Sequence, residues 1–139
     1  MPIREDWFEF ERLHRAAQEG TIAEMADLVA AGCDVNAFDE MSYTPLHCAV
    51  EHNRAEAAVW LLDHGADINA NEEAMIGETA LCLAVQGQSP EIVEMLLKRG
   101  ADPDIPGWMA LTARMRAQRR NDDVGRKIAG LLERYRRHS

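Results

Sequence analysis

The stretch Thr44-Pro45-Leu46-His47-Cys48-Ala49-Val50 decides how this chain is read. Thr44 is a good helix N-cap, and Pro45 suits the first helical position, where a missing N–H removes no hydrogen bond. The phrase returns as Thr79-Ala80-Leu81-Cys82-Leu83-Ala84-Val85, with weaker echoes at Arg12-Leu13-His14-Arg15-Ala16-Ala17 and Ala110-Leu111-Thr112-Ala113. A second phrase keeps the same beat. Asp63-His64-Gly65-Ala66-Asp67-Ile68-Asn69 reappears as Lys98-Arg99-Gly100-Ala101-Asp102-Pro103-Asp104, and more faintly as Ala30-Ala31-Gly32-Cys33-Asp34-Val35-Asn36. An interval of about 33 residues implies a stack of small units rather than one closed globule.

The leucines set the internal spacing. Leu13 to Leu28, Leu46 to Leu61 and Leu81 to Leu96 are each 15 residues apart, whereas Leu111 to Leu131 is 20. Each unit therefore carries two apolar helical segments at a fixed offset. In the second unit the first helix runs from Pro45 to about His52. Asn53 sits at the inter-helix turn where Gly20 sits in the first unit, and both residue types tolerate left-handed backbone. A second helix follows from Ala55 to His64, and Gly65 ends it, as Gly32 and Gly100 end theirs. In the third unit Ser89 caps and Pro90 opens a helix over Glu91–Arg99, with Ile92, Val93, Leu96 and Leu97 on its apolar face. In the last unit Asn121 or Asp122 caps a helix whose stripe is Val124, Ile128, Leu131 and Tyr135. Trp7, Phe8 and Phe10 read as core of the first helix, and Trp60 packs on the outer helix layer.

These motifs resemble the ankyrin repeat family, whose T-P-L-H-x-A signature is matched by Thr44 to Ala49 at every specified position. The resemblance covers nearly the whole chain. It implies an all-α repeat fold, an ankyrin solenoid of four helix-turn-helix units joined by β-hairpin loops. Approximate repeats are 7–39, 40–72, 73–106 and 107–139, in a single domain over 1–139. The second repeat is close to consensus. The third has two extra hairpin residues, through Glu72-Glu73-Ala74-Met75-Ile76. The first and fourth are degenerate, as capping repeats are.

Composition fits a folded chain: 139 residues, 47% hydrophobic and 6% aromatic, with no apolar run long enough to span a bilayer. Met1 to Asp6 precede no apolar leader segment, the chain reads as complete, and three cysteines make no disulfide framework. The expectation is a cytoplasmic, reducing location and a protein that is a monomer on its own. Residues 1–107 hold 6 basic and 21 acidic side chains, and residues 108–139 hold 9 basic and 3 acidic. The acidic body disfavours nucleic acid, and it either serves solubility or favours a partner with a basic or mixed-charge surface. The basic end either meets a helix dipole or contacts phosphate or a membrane. Nucleic-acid binding through Arg114, Arg116, Arg119 and Arg120 is a further reading.

No catalytic constellation stands out. Gln86-Gly87-Gln88-Ser89 has the wrong spacing for a phosphate loop, and no serine lies in a G-x-S-x-G turn. His47 and His52 lie five apart, about 140° round a helix, so they do not share a metal. Cys48 and His52 are four apart and could, but no further ligands are sequence-local. The expectation is no enzyme, no cofactor and no metal. By the resemblance, His47 is structural, its ring bonding backbone and neighbouring turns. Cys33 and Cys82 read as small buried residues, and Cys48 as a partly exposed thiol.

The resemblance further implies a protein–protein interaction module that binds through hairpin tips and the exposed face of each first helix, together a concave surface. Carried over residue by residue, the partner-binding positions are Phe38, Glu40, Met41 and Tyr43 in the second repeat's hairpin, with Glu51 and His52, beside Cys48, on its inner helix. In the third they are Asn71, Glu73, Met75, Ile76 and Glu78, with Gln86, beside Leu83, on the helix. Counting from the leucines, Trp108 stands where Tyr43 and Glu78 stand. It either contacts a partner or covers the core of the shortened last hairpin. The alternative function is a small acidic inhibitor or immunity-type protein that neutralises a basic enzyme such as a nuclease.

Overall fold

A computed structural model describes residues 11–72 and 77–135. The chain forms two compact units, one ending at Asp67 and the other beginning at Ile68. The first holds α1 (Arg12–Glu19), α2 (Ile22–Ala30), α3 (Pro45–Glu51) and α4 (Ala55–Asp63). The second holds α5 (Ala80–Ala84), α6 (Pro90–Lys98), a short 3-10 turn (Trp108–Ala110), α7 (Ala113–Arg119) and α8 (Asp123–Arg134). Among the described residues there is no strand, and the connecting arms are held by single turn bonds and side chains. The architecture is an all-α repeat of paired helices.

Local chemistry starts and stops each helix. The Thr44 hydroxyl accepts from the His47 N–H at 3.4 Å, while His47 Nδ1 accepts from the Thr44 N–H at 3.1 Å. This is a capping box with imidazole in place of the usual carboxylate. Thr79 and Thr112 cap α5 and α7 through the N–H groups of Cys82 (3.1 Å) and Met115 (3.2 Å). Ser89 and Asp122 cap α6 and α8. The outer helices end alike: Gly32, Gly65 and Gly100 have φ of 107°, 101° and 99°. The next N–H in each case (Cys33, Ala66, Ala101) reaches back 3.0 Å to the carbonyl of Leu28, Leu61 or Leu96. Glycine allows that left-handed step at no Cβ cost, and the back-bond satisfies a carbonyl the helix would leave open.

The leucine pairs of the first three repeats are all buried: Leu13, Leu28, Leu46, Leu61, Leu81 and Leu96. The fourth repeat departs from the expected count. Leu111 is half-buried and precedes the cap Thr112, so it aligns with Tyr43 and Glu78, the residues before Thr44 and Thr79. Trp108 therefore lies three residues upstream of the position assigned from the leucines. Of the expected stripe on α8, Ile128 is fully buried, whereas Val124, Leu131 and Tyr135 are half-buried and Leu132 takes the inner place. Cys33 is half-buried rather than buried. Trp60 stacks on His64 with ring centres 3.8 Å apart. Trp7, Phe8 and Phe10 lie outside the described residues.

Two side-chain devices tie each repeat to the next within a unit. In the first, the Asn36 carboxamide accepts from the Asp67 N–H (2.7 Å) and donates to the Gly65 carbonyl (3.1 Å). In the second, Asn69 accepts from the Asp102 N–H at 2.9 Å. The following place in that series is Asp104, and Arg114 Nε occupies it at 2.8 Å. The second device is a clasp on the following hairpin. His14 Nε2–H donates to the carbonyls of Ala37 (2.9 Å) and Tyr43 (3.1 Å). Cys82, at the same place after its cap as His47, sets its Sγ 3.7 Å from the Leu111 carbonyl and 4.0 Å from that of Ile105.

Candidate functional site

The hairpin tip of the first unit is built by Asp39. Its N–H donates to the Tyr43 carbonyl (2.8 Å), and its carboxylate accepts from the N–H groups of Met41 (2.8 Å) and Tyr43 (3.0 Å). Ser42 closes the turn with φ 65° and is buried. Glu40 and Met41 stand at the apex. Glu40 is exposed, and Met41 keeps 56% of its surface in water. Phe38 and Tyr43 are half-buried flanks, and the Tyr43 ring stacks on His47 at 5.3 Å with 12° between planes. Glu51 and His52 are exposed at the end of α3, and His52 Nδ1–H is spent on the Cys48 carbonyl (3.1 Å).

Cys48 does not join that surface. It is buried, and its pKa is pushed up to about 12, first by burial and then by the charges of Asp39, Glu51 and Glu11. The Cys82 thiol is raised as well, mainly by burial, against the opposing bond from Thr79 and the charge of Arg116. Both thiols stay protonated in the folded state at pH values where the unfolded chain ionises. Stability should therefore fall as pH rises from the ordinary thiol value of 9.0 toward about 12. Urea midpoints at about pH 8 and about pH 10.5 measure this, and Cys48→Ala should flatten the slope. An equal slope in the variant would assign the loss to other groups.

In the second unit Asn71 is half-buried, its amide donating to the Asn69 carbonyl at 3.1 Å. Gln86 is exposed. Glu73, Met75 and Ile76 lie outside the described residues. Glu78 is not presented for contact. Its side chain is 9% exposed, and both oxygens are taken by Arg116, at 2.9 Å and 2.8 Å. An arginine fork matches a carboxylate edge, and this bidentate pairing turns the Glu78 side chain inward and away from the expected contact position. Trp108 is 55% exposed, so it does not cover the core. Beside it Met109 is 69% exposed, and Met115 on α7 is 46% exposed. Neither methionine belongs to a repeating phrase: Met109 follows Trp108 in a degenerate repeat, and Met115 lies three residues past the cap Thr112, so no pattern marks them in the sequence.

The arginines offered for nucleic acid are mostly committed to structure. Arg114 binds Asp104 and the Leu132 carbonyl, Arg116 is buried on Glu78, and Arg120 binds Asp122 and the Val85 carbonyl. Arg119 alone of the four is exposed with no ion pair among the described residues. A cavity of about 590 Å³ in the second unit is lined by Leu97, Ala101, Pro103 and Tyr135, with Asn69 already bonded to Asp102. Among the described residues no three His, Cys, Asp or Glu side chains converge as metal ligands, and no helix is long and apolar enough to cross a membrane.

Comparison with known proteins follows the same lines. A family model described as ankyrin repeats (three copies) matches residues 13–107. The chain is 30% identical over 128 residues to the E3 ubiquitin-protein ligase hecd-1 of Caenorhabditis elegans, an alignment covering 88% of this chain and 5% of that protein. It is 37% identical over 105 residues to transient receptor potential cation channel subfamily A member 1 of Homo sapiens, covering 73% of this chain and 9% of that one. An ankyrin repeat, SAM and basic leucine zipper domain-containing protein 1 from Notamacropus eugenii is 30% identical over 111 residues, covering 78% and 23%. The chain thus spans less than a quarter of the length of each of these relatives.

Proposed function

Because the chain belongs to the ankyrin-repeat family, whose members are protein–protein interaction modules, we propose that it binds a partner protein without turnover, through its hairpin tips and the exposed faces of its first helices. The observation that carries this reading is the placing of Met41 and Trp108. Both are large apolar side chains held more than half exposed on turns fixed by internal hydrogen bonds. Rigid tips lose little conformational entropy on binding, and aromatic and methionine side chains are over-represented in interface cores. The repeats supply position, and the partner's chemistry is read by side chains at the tips: Phe38, Glu40, Met41, Tyr43 and Trp108, with Glu51 at the end of α3, His52 just after it and Gln86 two residues past α5. By the family resemblance, Asn71, Glu73, Met75 and Ile76 are the hairpin positions of the third repeat that serve the same role.

The partner is a protein with a basic or mixed-charge surface in the cytoplasm. The balance of −15 over residues 1–107 supports that reading, since such a field speeds encounter with basic surfaces and is screened by salt. The same charge favours, as a second reading, an acidic inhibitor that masks a basic enzyme. Affinity purification of the tagged chain from its native source, followed by titration of the recovered protein, tests both. Met41→Ala should weaken binding by about tenfold while leaving the melting curve in place. Affinity should drop with added salt, and a partner with enzymatic activity should lose it on saturation if the chain is an inhibitor. Saturable binding that ignores Met41, Tyr43 and Trp108 variants would remove the tips from the account.

A further inference from the structure

The turn that carries Trp108 is held open by a buried ion pair. The Trp108 N–H donates to Glu78 Oε1 at 3.0 Å, and Arg116 Nη2 donates to the Trp108 carbonyl at 3.3 Å. Both ends of one residue's backbone are thereby fixed by two side chains that are 9% and 5% exposed and that also bind each other. Gln86 steadies the pair from the other side, its oxygen 3.4 Å from Arg116 Nη1. Gly107 leaves no room for a side chain: a Cβ there would lie 2.3 Å from Glu78 Oε1 and 2.8 Å from Arg116 Nη2. Immediately after, Met109 and Ala110 take φ of 60° and 61°, a conformation that costs free energy in a non-glycine residue. Two consecutive strained residues, a buried charge pair and an exposed Trp-Met tip are unfavourable singly, and they occur together at one turn.

Stability alone does not account for this. A buried ion pair is often no more stable than a well-packed apolar pair, whereas it does fix geometry. We infer that Glu78 and Arg116 are positioning residues for a preorganised anchor made of Trp108 and Met109, and that the anchor takes a protein segment bearing a large apolar side chain next to a carboxylate. The inference rests on the protein-binding reading above and names the partner chemistry at this turn. The apolar requirement follows from Trp108, Met109 and Met115, three of the four exposed large hydrophobic side chains among the described residues. The acidic requirement follows from α7. Met115 and Arg119 are four apart and share a helix face. Arg119 is the exposed cation there without an ion pair among the described residues, since Glu78 and Asp104 are engaged by Arg116 and Arg114. This turn thus selects a different residue pattern from the acidic tip at Glu40 and Met41, which fits a mixed-charge partner.

A random peptide display library selected against the full chain, with binding followed on the isotope-labelled protein by NMR, is the test. Selected peptides should carry an aromatic or aliphatic residue beside Asp or Glu. They should shift the Trp108 indole and the Met109 and Met115 signals, and lose about tenfold or more in affinity on Trp108→Ala or Arg119→Glu. The positioning role is read separately. Glu78→Leu combined with Arg116→Leu should fold with a comparable melting temperature, yet lose hydrogen-exchange protection at the Trp108 amide and bind the same peptides about tenfold more weakly. If the double variant does not fold, Gly107→Ala, which leaves both charges in place, should give the same loss of amide protection and peptide affinity. Peptides that bind only through Met41 and Tyr43 would overturn this inference and leave the protein-binding reading standing. A library that yields no binder at any surface would count against both. Concentration-dependent dimerisation abolished by Trp108→Ala would make a second copy the occupant and overturn the assignment to a partner segment.

Discussion

Leu61→Ala is expected to cost about 2–5 kcal/mol of folding free energy, read from urea denaturation. The side chain is fully buried, at 0% exposure, in the last turns of α4. Its backbone carbonyl also accepts the back-bond from Ala66 that ends the helix, so collapse into the void is resisted on two sides. Leu28 and Leu96 hold the same place before Gly32 and Gly100, and equivalent truncations there should cost the same order, somewhat less at Leu28, which is slightly exposed. Repeat stability is a sum of unit and neighbour terms, so a loss of this size in one repeat should spread to the one packed on it. A melting and denaturation profile unchanged by Leu61→Ala would mean that the leucine period does not mark the packed interior.

Glu78→Ala should be nearly as damaging, at about 3–5 kcal/mol, for a different reason. The substitution removes no large apolar surface. It leaves the Arg116 guanidinium inside the second unit without its carboxylate, and it deprives the Trp108 N–H of its acceptor. Arg116→Ala leaves the converse charge buried. A double-mutant cycle separates coupling from desolvation: replacing both by leucine should recover most of the loss, because the two penalties cancel when neither charge remains. Single losses within the range of an exposed pair, under about 1 kcal/mol, would place the pair in water and remove its hold on the turn.

Much of the fold was legible because the signals repeat. Thr44, Pro45, Ser89 and the glycines at 32, 65 and 100 act through local geometry that a sequence states directly, and each has the role expected of it. In the fourth repeat leucine is a poor ruler. Leu111 resembles Leu46 and Leu81, but the helix begins where a hydroxyl can accept an N–H, at Thr112. The threonines at 44, 79 and 112 are the better ruler, since capping fixes a helix start to one residue whereas an apolar position can be filled from either side of the cap.

The candidate surface was legible only in part. Glu40 and Met41 lie at a turn whose apex follows from Asp39, a residue type that bonds its own backbone ahead. Glu78 occupied the place of a hairpin contact by count, yet its burial depends on Arg116, 38 residues away, and no local rule pairs them. The arginines of α7 looked like a basic patch for the same reason. Asp104 and Glu78 are brought to Arg114 and Arg116 by packing, whereas Arg120, the residue after α7, pairs with Asp122 only two residues on. Cys82 shows the reverse case. It aligns with His47 in sequence, and its sulfur meets the carbonyls of the following hairpin much as the His14 ring does.

Hydrogen–deuterium exchange of the full chain, alone and saturated with the partner recovered from its native source, tests the central claim most directly. The account predicts slowed exchange at residues 39–43 and 105–111 and at the ends of α3 and α5, with α2, α4 and α6 unchanged. Protection confined to the outer helices, or to the cavity beside Tyr135, would contradict it.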